Sequence, residues 1–383
     1  MKTNNKVMIV AGEPSGDIHG GRLCRELKKL APELELFGMG GARMAAAGVD
    51  LVQPIGETGV VGFWEVYKDI GRYRKIFHNL VRIMEERKPR AVILIDYPGF
   101  NLRFARQARR RGIRVIYYIS PQLWAWGKRR IKKVRRFVDL MVVIFGFEKE
   151  FYRRHGVDAV WVGHPLAGTI DRSLDRESAR KVLGTTGNPV IGLLPGSRKS
   201  EIEKIHPVLL DAAGKIKADF PRAEFLLPVA AAELRTAAES CLTSSPVPVR
   251  MEDGSGQEII AAADLLLAAS GTVTLEAALF ATPLLIVYKL SFLSWLFARL
   301  MIRIPHIGLV NIVAGREVVP EFIQHRARPE RIARAAGEIL NRPPERKRMI
   351  GELKQVAESL GAPGSSRRAA EAIWKTIEDH SDT

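Results

Sequence analysis

Cysteine is nearly missing from this chain. Of 383 residues only Cys24 and Cys241 carry thiols, and they lie far apart. Such a pair makes no disulfide framework and no metal or redox spacing, so an oxidised secreted scaffold is excluded and a reducing compartment fits. Long apolar runs are missing too. No stretch of about 18 uncharged apolar residues occurs, so no membrane span is expected. The apolar run before Gly12 is too short for a secretory leader. The eight histidines are scattered. With no cluster spaced for a metal, neither a metal nor another cofactor is expected. Gly-x-Ser-x-Gly, the elbow of serine hydrolases, is absent. So are the Gly-Lys-Ser/Thr end of a P-loop and the Gly-x-Gly-x-x-Gly dinucleotide fingerprint.

Acidic charge is scarce in one half only. Residues 1–165 hold 31 Lys and Arg against 16 Asp and Glu, a net of +15, whereas 166–383 hold 28 against 26, a net of +2. A basic half suits nucleic acid, an anionic membrane face or a phosphorylated substrate. A merely soluble basic surface is the plainer account.

Apolar runs and amphipathic segments alternate along the chain. "KVMIV" (6–10), "LELFGMG" (34–40), "AVILIDYP" (91–98), "RVIYYIS" (114–120) and "LMVVIF" (140–145) read as strands. The third is a continuous apolar run, the kind buried on both faces of a parallel sheet. "GGRLCRELKKL" (20–30), with Leu23, Leu27 and Leu30 at helical spacing, and "RYRKIFHNLVRIMEERKP" (72–89) read as helices. After "VGHPLAG" (162–168) the rhythm restarts, with strands at 189–197, 224–230, 263–271 and 283–290. This alternation implies right-handed crossovers and doubly wound α/β sheets. The expected domains are 1–165 and 166–345, with a linker near 163–172. A helical tail follows over 346–383, and its packing stays open.

Ligands of such sheets bind beyond the carboxyl ends of the strands, where several motifs fall. "LLPGSRKSEI" (193–202) leaves a strand and opens a helix. Gly196 and Ser197 let backbone N–H groups approach a phosphate, the helix N-terminus adds its dipole, and Arg198 can grip two phosphate oxygens. "AASGTVTLEAAL" (268–279) repeats the arrangement with Ser270, Gly271 and Thr272. There Thr272 and Thr274 either cap the helix or donate to phosphate. Glu276 either answers the helix dipole or accepts from ribose hydroxyls. In "LIDYPGFN" (94–101) Asp96 ends a buried strand. Desolvation there suits a general base, and a turn-pinning Asp is the alternative. "AGEPSGDIHGG" (11–21) offers Ser15, Asp17 and His19 as polar contacts, with His19 the second candidate for the base.

Three segments combine aromatics with basic charge. "YYISPQLWAWGKRRIKKVRR" (117–136) carries seven basic residues in the nine positions 128–136. It suits a nucleic-acid patch or a membrane interface, and its clustered aromatics are no stacking series. "VVGFWEVYKDIGRYRKIF" (60–77) holds Phe63, Trp64 and Tyr67. In 288–308, Phe292, Leu293, Trp295, Leu296, Phe297, Leu300 and Met301 make either a buried or an interfacial helix.

The ordered set "AGEPSGDIHGG", "GVVGFWEV", "LIDYPGFN", "YYISPQLWAW", "FEKEFY", "VGHPL", "LLPGSRKSEI", "AASGTVTLEAAL" and "NIVAGREVVPEFIQ" spans residues 11–324. It resembles the lipid-A-disaccharide synthase family of glycosyltransferases. The resemblance implies the GT-B fold, with two Rossmann-like domains facing across a cleft, and a metal-free inverting transfer. It implies that UDP-2,3-diacylglucosamine is the donor, 2,3-diacylglucosamine 1-phosphate the acceptor, and a β-1,6 disaccharide 1-phosphate and UDP the products. It places the protein in the cytoplasm on the anionic inner-membrane surface of Gram-negative bacteria, with no nucleic-acid partner; homodimerisation stays open. On this reading Asp96 is the base, with His19 the runner-up, and Arg198 neutralises the departing UDP. Ser197 holds the pyrophosphate; Ser270, Gly271 and Thr272 line the phosphate site; Glu276 holds the ribose. Asn311 and Glu317 lie near the donor. Rival readings are another GT-B UDP-sugar enzyme, such as a peptidoglycan glucosaminyltransferase or a UDP-sugar epimerase, and a non-catalytic membrane- or nucleic-acid-binding module.

Overall fold

The computed structural model describes residues 5–55, 70–125, 127, 130–171, 173–229, 232–290, 295 and 305–379. Phe63, Trp64, Tyr67, Trp126, Phe292, Leu293, Leu296, Phe297, Leu300 and Met301 lie outside them, as do the basic Lys128 and Arg129. The chain divides into two units, Met1–Gly168 with Leu360–Thr383, and Thr169–Ser359.

The first unit is built on parallel strands β1 (Lys6–Ala11), β2 (Glu35–Gly40), β3 (Asp50–Pro54), β4 (Ala91–Ile95), β5 (Arg114–Tyr118), β6 (Leu140–Val143) and β7 (Ala159–Trp161). Their spatial order is β3-β2-β1-β4-β5-β6-β7. Alternate side chains of each strand serve opposite faces. Val7, Ile9, Ile93 and Ile95 meet Leu23 and Leu27 of the Pro14–Leu30 helix, while Leu30 of that helix is exposed. Met8, Val10, Val92 and Leu94 meet Leu80, Met84, Phe100 and Phe104 on the other side.

The second unit carries β8 (Val190–Leu194), β9 (Glu224–Val229), β10 (Val249–Asp253), β11 (Leu265–Ala268), β12 (Leu284–Tyr288) and β13 (Glu321–Ile323), ordered β10-β9-β8-β11-β12-β13. Asp264, just before β11, draws three guanidinium groups onto one carboxylate: Arg176, Arg180 and Arg346 at 3.1, 2.7 and 2.9 Å. In each sheet the strand order reverses once, between β1 and β4 and between β8 and β11. Loops leaving such a pair diverge and open a crevice at the carboxyl edge.

The tail is shared between the units. The Pro343–Ser359 helix, with Arg346, stays in the second unit, and the chain from Leu360 belongs to the first. There the Ser365–Glu378 helix buries Ala369, Ala370, Ile373 and Ile377 in the same core as β1 and β4. Guanidinium groups fasten it: Arg368 donates to the Val162 carbonyl at 2.9 Å, Arg90 to Ile377 at 3.3 Å, and Arg114 to Thr376. Ile373→Ala should therefore destabilise the first unit by about 2–5 kcal/mol. Urea unfolding followed by hydrogen exchange reads this out, with β8 and β11 amides unchanged. Equal loss of protection in both units would contradict the assignment of this helix.

Candidate functional site

β4 stops at Ile95, and the chain leaves it through two consecutive left-handed residues, Asp96 (φ +46°) and Tyr97 (φ +49°). Neither is glycine, so this backbone is strained by about 1–3 kcal/mol per residue. Buried donors hold it. Asn101 Nδ2 donates to the Ile95 and Asp96 carbonyls at 3.1 and 2.8 Å, and the Tyr117 hydroxyl also donates to the Asp96 carbonyl. The Tyr97 ring lies over the loop leaving β1. A Cβ on Gly12 would sit 2.3 Å from Tyr97 Cδ1, so only glycine admits the ring. The Tyr97 hydroxyl donates to that of Tyr73. The result places Asp96 at the β1/β4 reversal. Burial, and then the neighbouring Glu13, push Asp96 up to about 6, against a backbone hydrogen bond from Tyr97. Proton acceptors work best when their pKa lies near the working pH.

The other expected groups of the first unit behave differently. Asp17, expected as a polar contact, is engaged by neighbouring backbone. It is buried, and its oxygens accept from the backbone N–H groups of Gly41, Arg43 and Met44 at 2.7, 3.0 and 3.0 Å. A carboxylate so engaged braces the turn after β2. Ser15 is exposed on the first turn of the Pro14–Leu30 helix. His19 is pushed down to about 4 by burial and then by Arg22, which leaves it a weak base at neutral pH. His164 is lowered to about 4 by burial and by His19. Glu148 was not anticipated. It is buried beside the loop that follows β5, accepting from Ser120 Oγ at 2.7 Å, Trp124 Nε1 at 3.1 Å and Phe145 N at 3.2 Å. Burial outweighs those bonds and raises it to about 7.

In the second unit a cavity of about 620 Å³ opens at the β8/β11 reversal. Its lining includes Gly196, Ser197, Arg198, Ser270, Gly271, Thr272 and Glu276, all expected from the two motifs. Gly196 is left-handed at φ +123°, and a Cβ there would strike Glu201 at 2.5 Å. Glu201 Oε2 accepts from Ser197 N at 3.1 Å, and its other oxygen lies 3.7 Å from the guanidinium of Arg198. Glu201 thus shapes the loop, and Arg198, 73% exposed, extends into the opening. Ser270 Oγ donates to the Ile307 carbonyl at 2.8 Å, and Thr274 Oγ1 to Gly271 at 2.9 Å. Thr272 makes no capping bond and is exposed. Burial raises the pKa of Glu276.

Asn311 and Glu317 do not line this cavity. Asn311 is fully buried. Its Nδ2 donates to the Val319 carbonyl and to Glu321, both at 2.8 Å, and its Oδ1 accepts from Val318 N and Val319 N at 2.7 and 3.0 Å. Both ends of the amide are committed, and it braces the turn before β13. Glu321 also accepts from Ile307 N and Gly308 N, so Asn311 reaches the Ser270 loop only through the scaffold. Glu317 is exposed on the following turn.

A family model described as lipid-A-disaccharide synthetase matches residues 7–374. The chain belongs to that family. It is 42% identical over 376 residues to the lipid-A-disaccharide synthase of Geobacter sulfurreducens, covering 98% of each protein. The fold is GT-B. It is shared with MurG of Acinetobacter baumannii (TM-score 0.59, 12% identity, 97% of this chain and 99% of the other). It is shared too with a UDP-GlcNAc 2-epimerase of Neisseria meningitidis (TM-score 0.61, 12% identity, 97% and 100%). Likeness at that identity concerns the fold; the family rests on the full-length match.

The neighbours of Asp96 were not anticipated: Asn101, Tyr117 and Tyr97, which hold its turn, and Glu13, which repels its charge. Asn101 and Tyr97 lie inside the quoted "LIDYPGFN" motif, and their polar groups among apolar neighbours were the available signal. The raised pKa has a stability consequence. Folding favours the protonated acid, so the penalty is absent below about pH 4, grows between about pH 4 and 6 and is complete above. Asp96→Asn, an exchange that the left-handed backbone accepts, should stabilise the first unit at pH 8. In thermal melts the gain should vanish below about pH 4. A pH-independent gain would rule out ionisation of Asp96 as its cause.

Proposed function

We propose that this chain joins two acylated glucosamines. A UDP-2,3-diacylglucosamine donor gives its sugar to 2,3-diacylglucosamine 1-phosphate, yielding the β-1,6-linked disaccharide 1-phosphate and UDP. The observation that carries the donor half is the gathering of both Gly-Ser loops, Arg198 and Glu276 around one cavity of the second unit. Its volume, about 620 Å³, falls in the range of small-molecule sites. Family membership supplies the reaction.

The reading assigns a single displacement. The acceptor 6-hydroxyl oxygen attacks the anomeric carbon of the donor. The bond from that carbon to the β-phosphate oxygen breaks, and its electron pair leaves with UDP. The hydroxyl proton passes to the Asp96 carboxylate, which is ionised above about pH 6. Its higher pKa supports Asp96 over His19 as the acceptor of that proton. Arg198 offers a two-pronged contact to the diphosphate, whose charge grows as the bond breaks. The backbone at Ser197, with Ser270, Gly271 and Thr272, holds the phosphates, and Glu276 takes the ribose hydroxyls. Ser15 remains a contact for the acceptor. The substrates carry acyl chains, so the enzyme works at the cytoplasmic surface of the inner membrane. Among the described residues no helix is long and apolar enough to cross a membrane.

Incubation with both acylated sugars in mixed micelles should give a disaccharide lipid by mass spectrometry, with UDP release dependent on the acceptor. Release without a joined product would overturn the assignment. Asp96→Asn should lower kcat by roughly 10²–10⁴ with UDP affinity kept. Arg198→Ala should weaken both UDP binding and turnover by about tenfold or more. An Arg198→Ala enzyme with parental kinetics would remove that residue from the phosphate site.

A further inference from the structure

The first unit holds a second charged feature, away from the Asp96 turn. The Pro98–Arg110 and Ile131–Phe137 helices flank an open groove of about 960 Å³. Arg103, Arg106, Arg109, Arg110, Lys132, Lys133 and Arg136 line it, and among the described residues no carboxylate does. All seven are exposed. Arg109 pairs with Asp139 at 2.6 Å. The other six have no acidic partner among the described residues. Their spacing adds repulsion: Arg103 with Arg106, Arg106 with Arg110, and Lys132 with Arg136 stand three or four residues apart, where like charges destabilise a helix. Arg109 and Arg110 gain from the helix C-terminus, but Arg103 and Arg106 do not. A surface that keeps such charge unpaired is built for an anion.

We propose that this groove is the face by which the chain settles on an anionic phospholipid surface. The proposal rests on the acyl-sugar reading above, which requires a bilayer within reach. The groove has no buried polar group converging on one point, as a small-molecule site would. It has long, mobile cations spread along two helices, which suits many headgroups at once. Its aromatic rings are committed. The Arg136 guanidinium lies 5.6 Å from the centre of the Phe137 ring, and Phe77 packs edge-on against Phe100 and Phe104. A single-stranded nucleic acid would need such rings free for stacking. The helix that carries the arginines begins just after Asp96, so Arg103 lies on the order of 10 Å further along. A sugar headgroup can then reach Asp96 while its chains stay in the lipid.

The test is co-sedimentation with vesicles of phosphatidylglycerol and phosphatidylethanolamine, against vesicles of phosphatidylcholine alone. The parent should bind the first and not the second, and release at about 0.5 M salt. The triple variant Arg103→Gln, Arg106→Gln, Arg110→Gln should bind on the order of 100-fold more weakly, about fivefold per charge. It should melt no lower than the parent, since repulsion is relieved, and keep the parental rate in detergent micelles. Unchanged vesicle binding by the variant would overturn the proposal. So would equal binding of the parent to both vesicle types, or loss confined to RNA or duplex DNA binding. A parent inactive in micelles would instead refute the enzymatic reading, whatever the vesicles show.

Discussion

A parallel strand covered by helices on both faces has room for polar side chains only beyond its ends. That constraint organises everything chemical in this protein. β4 reads Ala-Val-Ile-Leu-Ile and is wholly buried; the next residue is Asp96. β8 is wholly buried, and its exit carries Gly196, Ser197 and Arg198. In each sheet the two strands flanking the reversal of order send their loops apart. One reversal receives a carboxyl group and the other receives the two glycine-serine loops that line the cavity. The same rule, applied twice, gives each unit its own polar strand exits.

Carboxylates in this fold fall into two kinds, told apart by what they accept. Asp17 and Glu321 take several backbone N–H groups, and Glu201 and Glu148 take one each. They tie loops down. At Asp96 the side chain takes one backbone N–H, from Tyr97, while the buried Asn101 and Tyr117 side chains support the backbone carbonyl. The scaffold therefore holds the residue while leaving its acid poorly solvated. Strain and an elevated pKa are two results of one placement. Asn101 and Tyr117 offset the first without relieving the second.

The interior strands were legible because burial on both faces writes itself as an apolar run. β3, β7, β10 and β13, unread in the sequence, are the edges of the two sheets. They are largely half-exposed, as in Val-Arg-Met-Glu-Asp of β10, and show neither a run nor clean alternation. The two cavity loops were legible because each is one contiguous motif on a strand exit. The inward turn of Asp17 and Asn311 was not legible in the same way. Motif membership does not reveal whether a side chain turns outward to a ligand or inward to a neighbouring backbone. The partners that decide this, Gly41 to Met44 for Asp17, lie 24 or more residues away. Tyr117, which steadies Asp96 across 21 residues, was hidden in the same way.

The return of the chain at Leu360 gives the two units different histories during synthesis. The second unit is one continuous stretch, Thr169–Ser359, complete as soon as it leaves the ribosome. The first unit emerges earlier but lacks the helix that buries Ala369, Ala370, Ile373 and Ile377 against the Pro14–Leu30 helix, β5 and β6. At about 5–20 residues per second, translating the intervening stretch takes on the order of 10–40 s. Through that interval the part of this core that the C-terminal helix fills stands open beside the Pro14–Leu30 helix, so the half of the protein that is made first is the half that finishes folding last.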